Sequence, residues 1–225
     1  MIRMKKSILI PIVAILVYGC TTTSKENQSE SGQASESVAE ATLEVGVLNP
    51  NLASGEELSL IGMDEVGIEK LVSGRPYLDP LAFLGTLKEV VGEEQFEEVK
   101  SKLFLPMNLN TTPEDDFKMV PKVGDKMAHE FEEYRPYTSV EQFRREIGKY
   151  VSDEEVAAYE NYVFVPVNLN TASKDEILAI PGVGDRMLHE FEEYRPYENI
   201  EQFRREIGKY VDDNELARLE RYVTL

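Results

Sequence analysis

The sequence predicts an all-α fold made of tandem repeats, each containing four short helices arranged as two hairpins. A duplication is the first observation, because positions 108–165 match positions 168–225 without gaps at 36 of 58 residues. Within each copy apolar residues recur at helical spacing, and glycine or proline separates the segments. The alternation typical of strands is not seen, so we expect helices alone. A duplicated unit of this kind indicates modules, not one fold grown around a single active site.

Residues 1–19 are predicted to be a bacterial lipoprotein signal peptide. Arg3, Lys5 and Lys6 precede an apolar run at 7–17, which is shorter than the ~20 residues that a helix needs to cross a bilayer. The run ends at Val-Tyr-Gly-Cys, which resembles a lipobox although its tyrosine is bulky. We therefore expect Cys20 to carry a lipid that holds the protein on the membrane, in the cell envelope. Thr21 after the cysteine favours the outer membrane of a double-membraned bacterium; the alternative is an ordinary secretory signal.

Residues 20–48 are predicted to be a disordered tether, since the segment is rich in Ser, Thr, Glu and Gln and offers little to bury. Cys20 is the only cysteine, so neither an intrachain disulfide nor a cysteine metal site can form. The net charge of the chain is −18, and removal of the three cations in 1–19 would make it −21. Such charge counts against tight nonspecific binding of nucleic acid and is typical of a soluble surface.

Repeat 3 (168–225) gives the clearest helix signals. Ser173 and Glu176 fit a capping box, and residues 181–184, Pro-Gly-Val-Gly, predict a tight turn after the first helix. The second helix starts at Asp185 and ends at the Arg-Pro-Tyr of 195–197.

The second half of repeat 3 predicts another hairpin. Asn199 is a cap for the third helix, and Asp212 with Glu215 resembles a capping box for the fourth. Repeat 2 (108–167) has the same pattern, with Ser152 capping its fourth helix.

Repeat 1 (49–107) is a degenerate copy. Its opening Asn-Pro-Asn resembles the opening motif of the other repeats, and its Arg-Pro-Tyr at 75–77 matches theirs at an offset of sixty residues. Its hairpin, however, has Asp64 in place of the second glycine. A carboxylate there would oppose an anion, so we expect this copy to be structural.

Residues 167–173, the Ile-Pro-Gly-Val-Gly of 180–184 and the Tyr-Arg of 194–195 resemble the helix-hairpin-helix domain of the ComEA competence family. The resemblance covers residues 108–225. It departs from the family pattern in the second hairpin, where residues 208–211 read Gly-Lys-Tyr-Val. The resemblance implies the helix-hairpin-helix fold and, in nucleic-acid-binding members, a phosphate held by backbone N–H groups at a helix N-terminus.

Carried over residue by residue, the resemblance implies two phosphate-binding loops. The candidate residues are Gly182, Val183, Gly184 and Arg186 in repeat 3, and Lys122, Val123, Gly124 and Lys126 in repeat 2. Two such loops could contact two phosphates of one strand without reading bases. Asp125 and Asp185 lie in the loops and would repel phosphate unless they only cap the helices.

The Pro-Gly-Val-Gly turn is also needed to fold the hairpin when nothing is bound. The paired hairpins further resemble PsbU, an extrinsic photosystem II subunit that docks on protein. The sequence therefore favours a lipid-anchored module that docks on an envelope or partner protein. The alternative is a competence-type surface DNA-binding protein that uses repeats 2 and 3.

No enzyme, cofactor, metal site or small-molecule substrate is expected from the sequence. His129 and His189 have no second histidine one turn away, so neither zinc nor a catalytic pair is indicated. Tyr134 and Tyr194, with the tyrosines three residues later, could stack on bases or pack between the hairpins.

Overall fold

The computed structural model describes residues 46–225, and the predicted all-α class is confirmed. The predicted signal peptide, Cys20 and most of the tether lie outside the described residues. Within 46–225 no helix is both long enough and apolar enough to cross a membrane.

Each of the three segments that the sequence delimits contains four helices. Repeat 1 has α1 to α4, at Gly55–Leu60, Glu65–Ser73, Pro80–Val91 and Glu93–Lys102. Repeat 2 has a 3₁₀ helix at Glu114–Met119, then α5 to α7 at Asp125–Glu133, Val140–Ile147 and Asp153–Glu160. Repeat 3 has α8 to α11 at Lys174–Leu178, Asp185–Glu193, Ile200–Ile207 and Asp213–Glu220.

Side-chain caps fix where most of these helices begin. Ser173 and Glu176 form the predicted capping box, and Asn199, Asp212 and Ser152 each accept a hydrogen bond from the third backbone N–H of their helix. Repeat 2 has Pro113 where repeat 3 has Ser173, and its first helix has no side-chain cap. This helix has 3₁₀ geometry, which short helices without side-chain caps often adopt.

The expectation of helices alone is wrong in one respect, because each repeat begins and ends in a short parallel pairing. Strand β1 (Met107–Asn108) pairs with β2 (Val163–Phe164), and β3 (Val167–Asn168) pairs with β4 (Val223–Thr224). In repeat 1 a single bridge joins Leu48 to Leu103, so pairing starts one residue before the predicted boundary. Two-residue strands are too short to show alternation. The pairings close each repeat on itself.

A second closure joins the opening loop of each repeat to its centre. Asn170 donates to the carbonyl of Tyr197 at 2.9 Å and accepts from the Tyr197 N–H at 2.7 Å. Asn110 with Tyr137 and Asn51 with Tyr77 make the same pair of bonds. Arginine adds a further bond, as Arg195 donates to the carbonyl of Ala172 at 2.9 Å. The signature residues of the repeat therefore serve its internal structure.

Aromatic side chains join one repeat to the next. Phe104 of repeat 1 lies 5.0 Å from Tyr162, centroid to centroid, and Phe164 of repeat 2 lies 4.5 Å from Tyr222. The residue equivalent to Tyr162 in repeat 1 is Lys102, and the residue equivalent to Phe164 in repeat 3 is Thr224. Neither is aromatic. The two aromatic contacts therefore join the three described repeats in series.

Repeat 3 also contacts repeat 1. The Asn49 side-chain amide donates to the Tyr222 hydroxyl at 3.1 Å, and Arg221 donates to the carbonyl of Pro106 at 2.9 Å. The three repeats consequently form one body in which every repeat touches the other two.

Candidate functional site

The repeat 3 hairpin connects α8 to α9 through residues 181–184. Gly182 has a φ of +81°, a conformation that glycine adopts at little cost. The Val183 N–H donates to the Ile180 carbonyl at 3.0 Å, so it is occupied, and the Val183 side chain is buried. Within the described chain the N–H groups of Gly182 and Gly184 have no hydrogen-bond partner, and Gly184 begins α9 without a side-chain cap.

The repeat 2 hairpin has the same backbone with a different residue at its turn. Lys122 occupies the position of Gly182 with a φ of +66°, which costs a residue with a side chain about 1–2 kcal/mol. Val123 is again buried and its N–H donates to Val120, while Gly124 begins α5 without a side-chain cap.

The cations predicted for these loops are available. Lys122, Lys126 and Arg186 are exposed, and none of the carboxylates in 46–225 lies within ion-pair distance of them. The Lys126 ammonium lies 5.8 Å from the centre of the Tyr150 ring. Each loop thus presents an uncapped helix N-terminus with a mobile positive charge beside it.

The two loops differ in whether the carboxylate beside each cation is itself neutralised. Asp125 forms an ion pair with Lys118 at 3.0 Å, and the hydrogen bonds that Lys118 donates to Asp115 and Asp125 hold its pKa above the usual range of a lysine. Repeat 3 has Leu178 in place of Lys118, so Asp185 has no such partner there. The repeat 3 loop is therefore less favourable for an anion than the repeat 2 loop.

Arg218, which the sequence did not predict as a site residue, holds the repeat 3 hairpin in place and acts as its clamp. Arg218 is only 2% exposed; it donates to the Pro181 carbonyl at 2.5 Å and pairs with Glu215 at 2.6 Å. A Cβ at position 182 would lie 2.8 Å from the Arg218 guanidinium and 3.2 Å from Leu52 of repeat 1. Position 182 therefore needs glycine for space as well as for φ.

In the repeat 1 hairpin, the Asp64 side chain binds a backbone N–H group of the helix that follows. Gly62 has a φ of +98°, and Asp64 accepts a hydrogen bond from the Gly67 N–H at 2.7 Å as the cap of α2. The Asp64 carboxylate therefore places a negative charge at the position that Gly124 and Gly184 occupy in the other repeats.

A groove with a volume of about 630 Å³ lies between repeats 2 and 3. Its apolar floor includes Val163, Val165, Pro166, Val167, Ala172 and Ala179. Val47 and Asn49 close one end, so all three repeats contribute. The residues come from strand ends, helix starts and the inter-repeat connection, and no local motif could have marked them.

Acidic side chains border the groove. Glu141 on α6 is exposed on one side, and Asp175 and Glu176 on α8 are exposed on the other. Hydrogen bonds from the Glu141 backbone N–H and from the Ser139 side chain lower the pKa of the Glu141 carboxyl, and the negative charge of the nearby Glu176 opposes that effect. The groove has one arginine, Arg144, which forms a bidentate pair with Glu160 at 2.6 and 2.8 Å. The border therefore carries an excess of negative charge.

A second cavity of about 330 Å³ lies where the three repeats meet, lined in part by Asp79, Asp116 and Arg221. Burial lowers the pKa of Arg221, and its guanidinium lies 5.5 Å from the ring centre of Phe164. Since Arg221 also bonds Pro106, its contacts join the repeats.

The remaining candidates are separated from one another. His129 and His189 are exposed, and Tyr137 and Tyr197 are buried in the core of their repeats. Tyr134 and Tyr194 bond the hydroxyls of Tyr150 and Tyr210 at 2.7 and 2.9 Å. Among residues 46–225 no group of three His, Cys, Asp or Glu side chains is arranged to hold a metal ion.

In comparisons with known proteins, no family model, no curated protein and no solved structure matches this chain.

Proposed function

We propose that this protein is a non-enzymatic binding module, anchored by a lipid on Cys20, that docks on an envelope or partner protein. The groove between repeats 2 and 3 is the observation that carries this proposal. Its volume of about 630 Å³ is large enough to receive several side chains of a partner. Its floor presents apolar side chains of several elements in one place, which is characteristic of a surface that meets a partner.

The anchor and the groove are compatible. A lipid on Cys20 and a tether that ends before Leu48 would hold the repeats beside the membrane surface while leaving them free to reorient. The proposed location is the cell envelope, on the outer membrane where there are two membranes.

Photocrosslinking tests the docking function. A photoreactive amino acid replaces Ala179, an exposed groove residue, in the full chain inside the producing cell. Met119 is the equivalent position in repeat 2 and is also exposed, but it is outside the groove, so it is the matched control. We expect a protein adduct from position 179 and none from 119. Equal adducts, or none from either position, would contradict docking in the groove.

DNA binding is the second candidate, supported by the unpartnered N–H groups of Gly124 and Gly184 beside Lys126 and Arg186. A phosphate held there would make affinity fall steeply with salt, since counterions are released. Titration of short duplex and single-stranded DNA into the mature chain tests this candidate. Binding at micromolar protein that falls with salt and is lost in a Lys126→Glu/Arg186→Glu variant would make DNA the leading function; no binding at low salt would exclude it.

A further inference from the structure

We infer that the groove receives a cationic, extended segment of a partner protein, with apolar side chains that contact the floor and lysine or arginine side chains that reach the border. This inference names the partner chemistry of the docking function and rests on it. It is drawn from the charge of the border and from the composition of the floor, which are separate observations.

The border favours cations because its carboxylates outnumber its cation. Glu141, Asp175, Glu176 and Glu160 line the groove, against Arg144 alone. Arg144 is already bound to Glu160 at 2.6 Å. Asp175 has no ion pair within 46–225, and Glu141 is 3.7 Å from Arg144 at its nearest. A cationic side chain entering from solvent would therefore meet Asp175 and Glu176, which have no ion pair within 46–225, on one side and the exposed, loosely paired Glu141 on the other.

The floor favours an extended segment over a compact ligand. Residues 163–167 connect β2 to β3 and all line the groove; Val163 and Val165 are buried, whereas Phe164 and Pro166, two residues apart, are half-buried and form a short apolar row. An extended peptide places alternate side chains on the same face, about 7 Å apart. Its apolar positions can then follow the row while the intervening positions face the border.

The chain's own tether does not fit this chemistry. Residues 20–45 contain five glutamates and one lysine, so the acidic border would repel them. An occupant of opposite charge must therefore come from another molecule.

Internal duplication supplies matched variants for the test. Glu141 and Glu201 are equivalent: each is exposed, and each lies 3.7 Å from the arginine three residues later. Only Glu141 borders the groove. Glu141→Lys and Glu201→Lys therefore change the charge equally and disturb the same local contact. Asp175→Lys adds a second reversal at an exposed position.

The probes are synthetic extended decapeptides that alternate lysine with valine, glutamate with valine, or lysine with serine. Affinity for the mature chain is measured by isothermal titration at low and moderate salt. We expect the lysine–valine peptide to bind. Because each reversal replaces an attractive charge with a repulsive one, Glu141→Lys with Asp175→Lys should weaken binding about tenfold, and Glu201→Lys should change it less than about twofold.

The outcomes distinguish a failure of the inferred partner chemistry from a failure of the proposed docking function. Equal binding of the lysine–valine and glutamate–valine peptides, or equal loss in the Glu141 and Glu201 variants, would overturn a cationic occupant. Equal binding of the lysine–serine peptide would overturn the apolar contact. In both cases an adduct from position 179 would still support docking. Failure of the crosslink with intact peptide selectivity would instead overturn the docking function.

Discussion

Positions 122 and 182 show how one contact decides which residue a turn can accept. Both have a positive φ, yet one is lysine and the other glycine. Arg218 lies against Gly182, and the equivalent of Arg218 in repeat 2 is Ala158. The space that Arg218 takes in repeat 3 is therefore open in repeat 2, where a side chain is tolerated at the price of backbone strain.

Removal of the clamp should destabilise the protein. Arg218→Ala leaves the Pro181 carbonyl without its donor and removes an ion pair in which the arginine is buried and Glu215 is exposed, so we expect the free energy of unfolding to fall by about 1–3 kcal/mol. Arg204→Ala breaks an exposed pair with Glu220 and should cost less than about 1 kcal/mol. Urea unfolding of the mature chain measures both. A similar loss in the two variants would show that Arg218 is not a clamp.

The two glycines of the hairpin should differ in the same assay. Gly182→Ala adds a Cβ at positive φ in an occupied space and should cost about 1–3 kcal/mol. A Cβ at Gly184 would meet nothing within 4 Å, and its φ is −112°. Gly184→Ala should therefore change stability by less than about 1 kcal/mol. Equal effects would contradict the packing described for Gly182.

His129 gives a prediction for pH. His129 Nδ1 lies 3.3 Å from a carboxylate oxygen of Glu114. This hydrogen bond and the negative charge of Glu114 raise the pKa of His129 above the usual value of about 6.5. The associated stability is complete below the unfolded pKa and is lost as pH rises through the folded pKa. NMR titration should show this raised pKa, and Glu114→Gln should return it to the ordinary value. A pKa that is unchanged by Glu114→Gln would rule out the pair.

At the scale of elements, the repeat is held by closures between its ends and its middle. Parallel pairing joins the first residues of repeat 3 to the last, and Asn170 joins its opening loop to Tyr197 between the two hairpins. Helix boundaries were predictable because caps such as Ser173 and Asn199 are local signals. The closures were not, because Asn170 and Tyr197 are distant in sequence and each strand has two residues.

The asparagine closure should contribute more to the free energy of unfolding than an exposed asparagine does. Asn170→Ala removes two hydrogen bonds to the Tyr197 backbone and should lower unfolding free energy by about 1–3 kcal/mol. Asn214→Ala, on the exposed first turn of α11, should change it by less than about 0.5 kcal/mol. Thermal unfolding followed by circular dichroism compares the variants. An Asn170→Ala protein as stable as the Asn214→Ala protein would show that the closure contributes little.

For the whole molecule, the three repeats make a surface that none of them has alone. The groove needs the strand ends of repeat 2, helix α8 of repeat 3 and the entry of repeat 1 at Val47. The sequence predicted the hairpin candidates, since Pro-Gly-Val-Gly is contiguous. It could not predict the groove, because Glu141 and Asp175 come together only when the repeats pack. The proposed docking function depends on that packing.

Blocking the groove tests the docking function most directly. A photoreactive residue replaces Thr138, an exposed residue on the repeat 2 side of the groove, in the full chain inside the producing cell. Ala179→Trp then fills the groove, and Met119→Trp adds the same side chain at the equivalent position outside it. We predict a protein adduct from Thr138 that Ala179→Trp abolishes and Met119→Trp leaves intact. An adduct that survives Ala179→Trp would contradict docking in the groove.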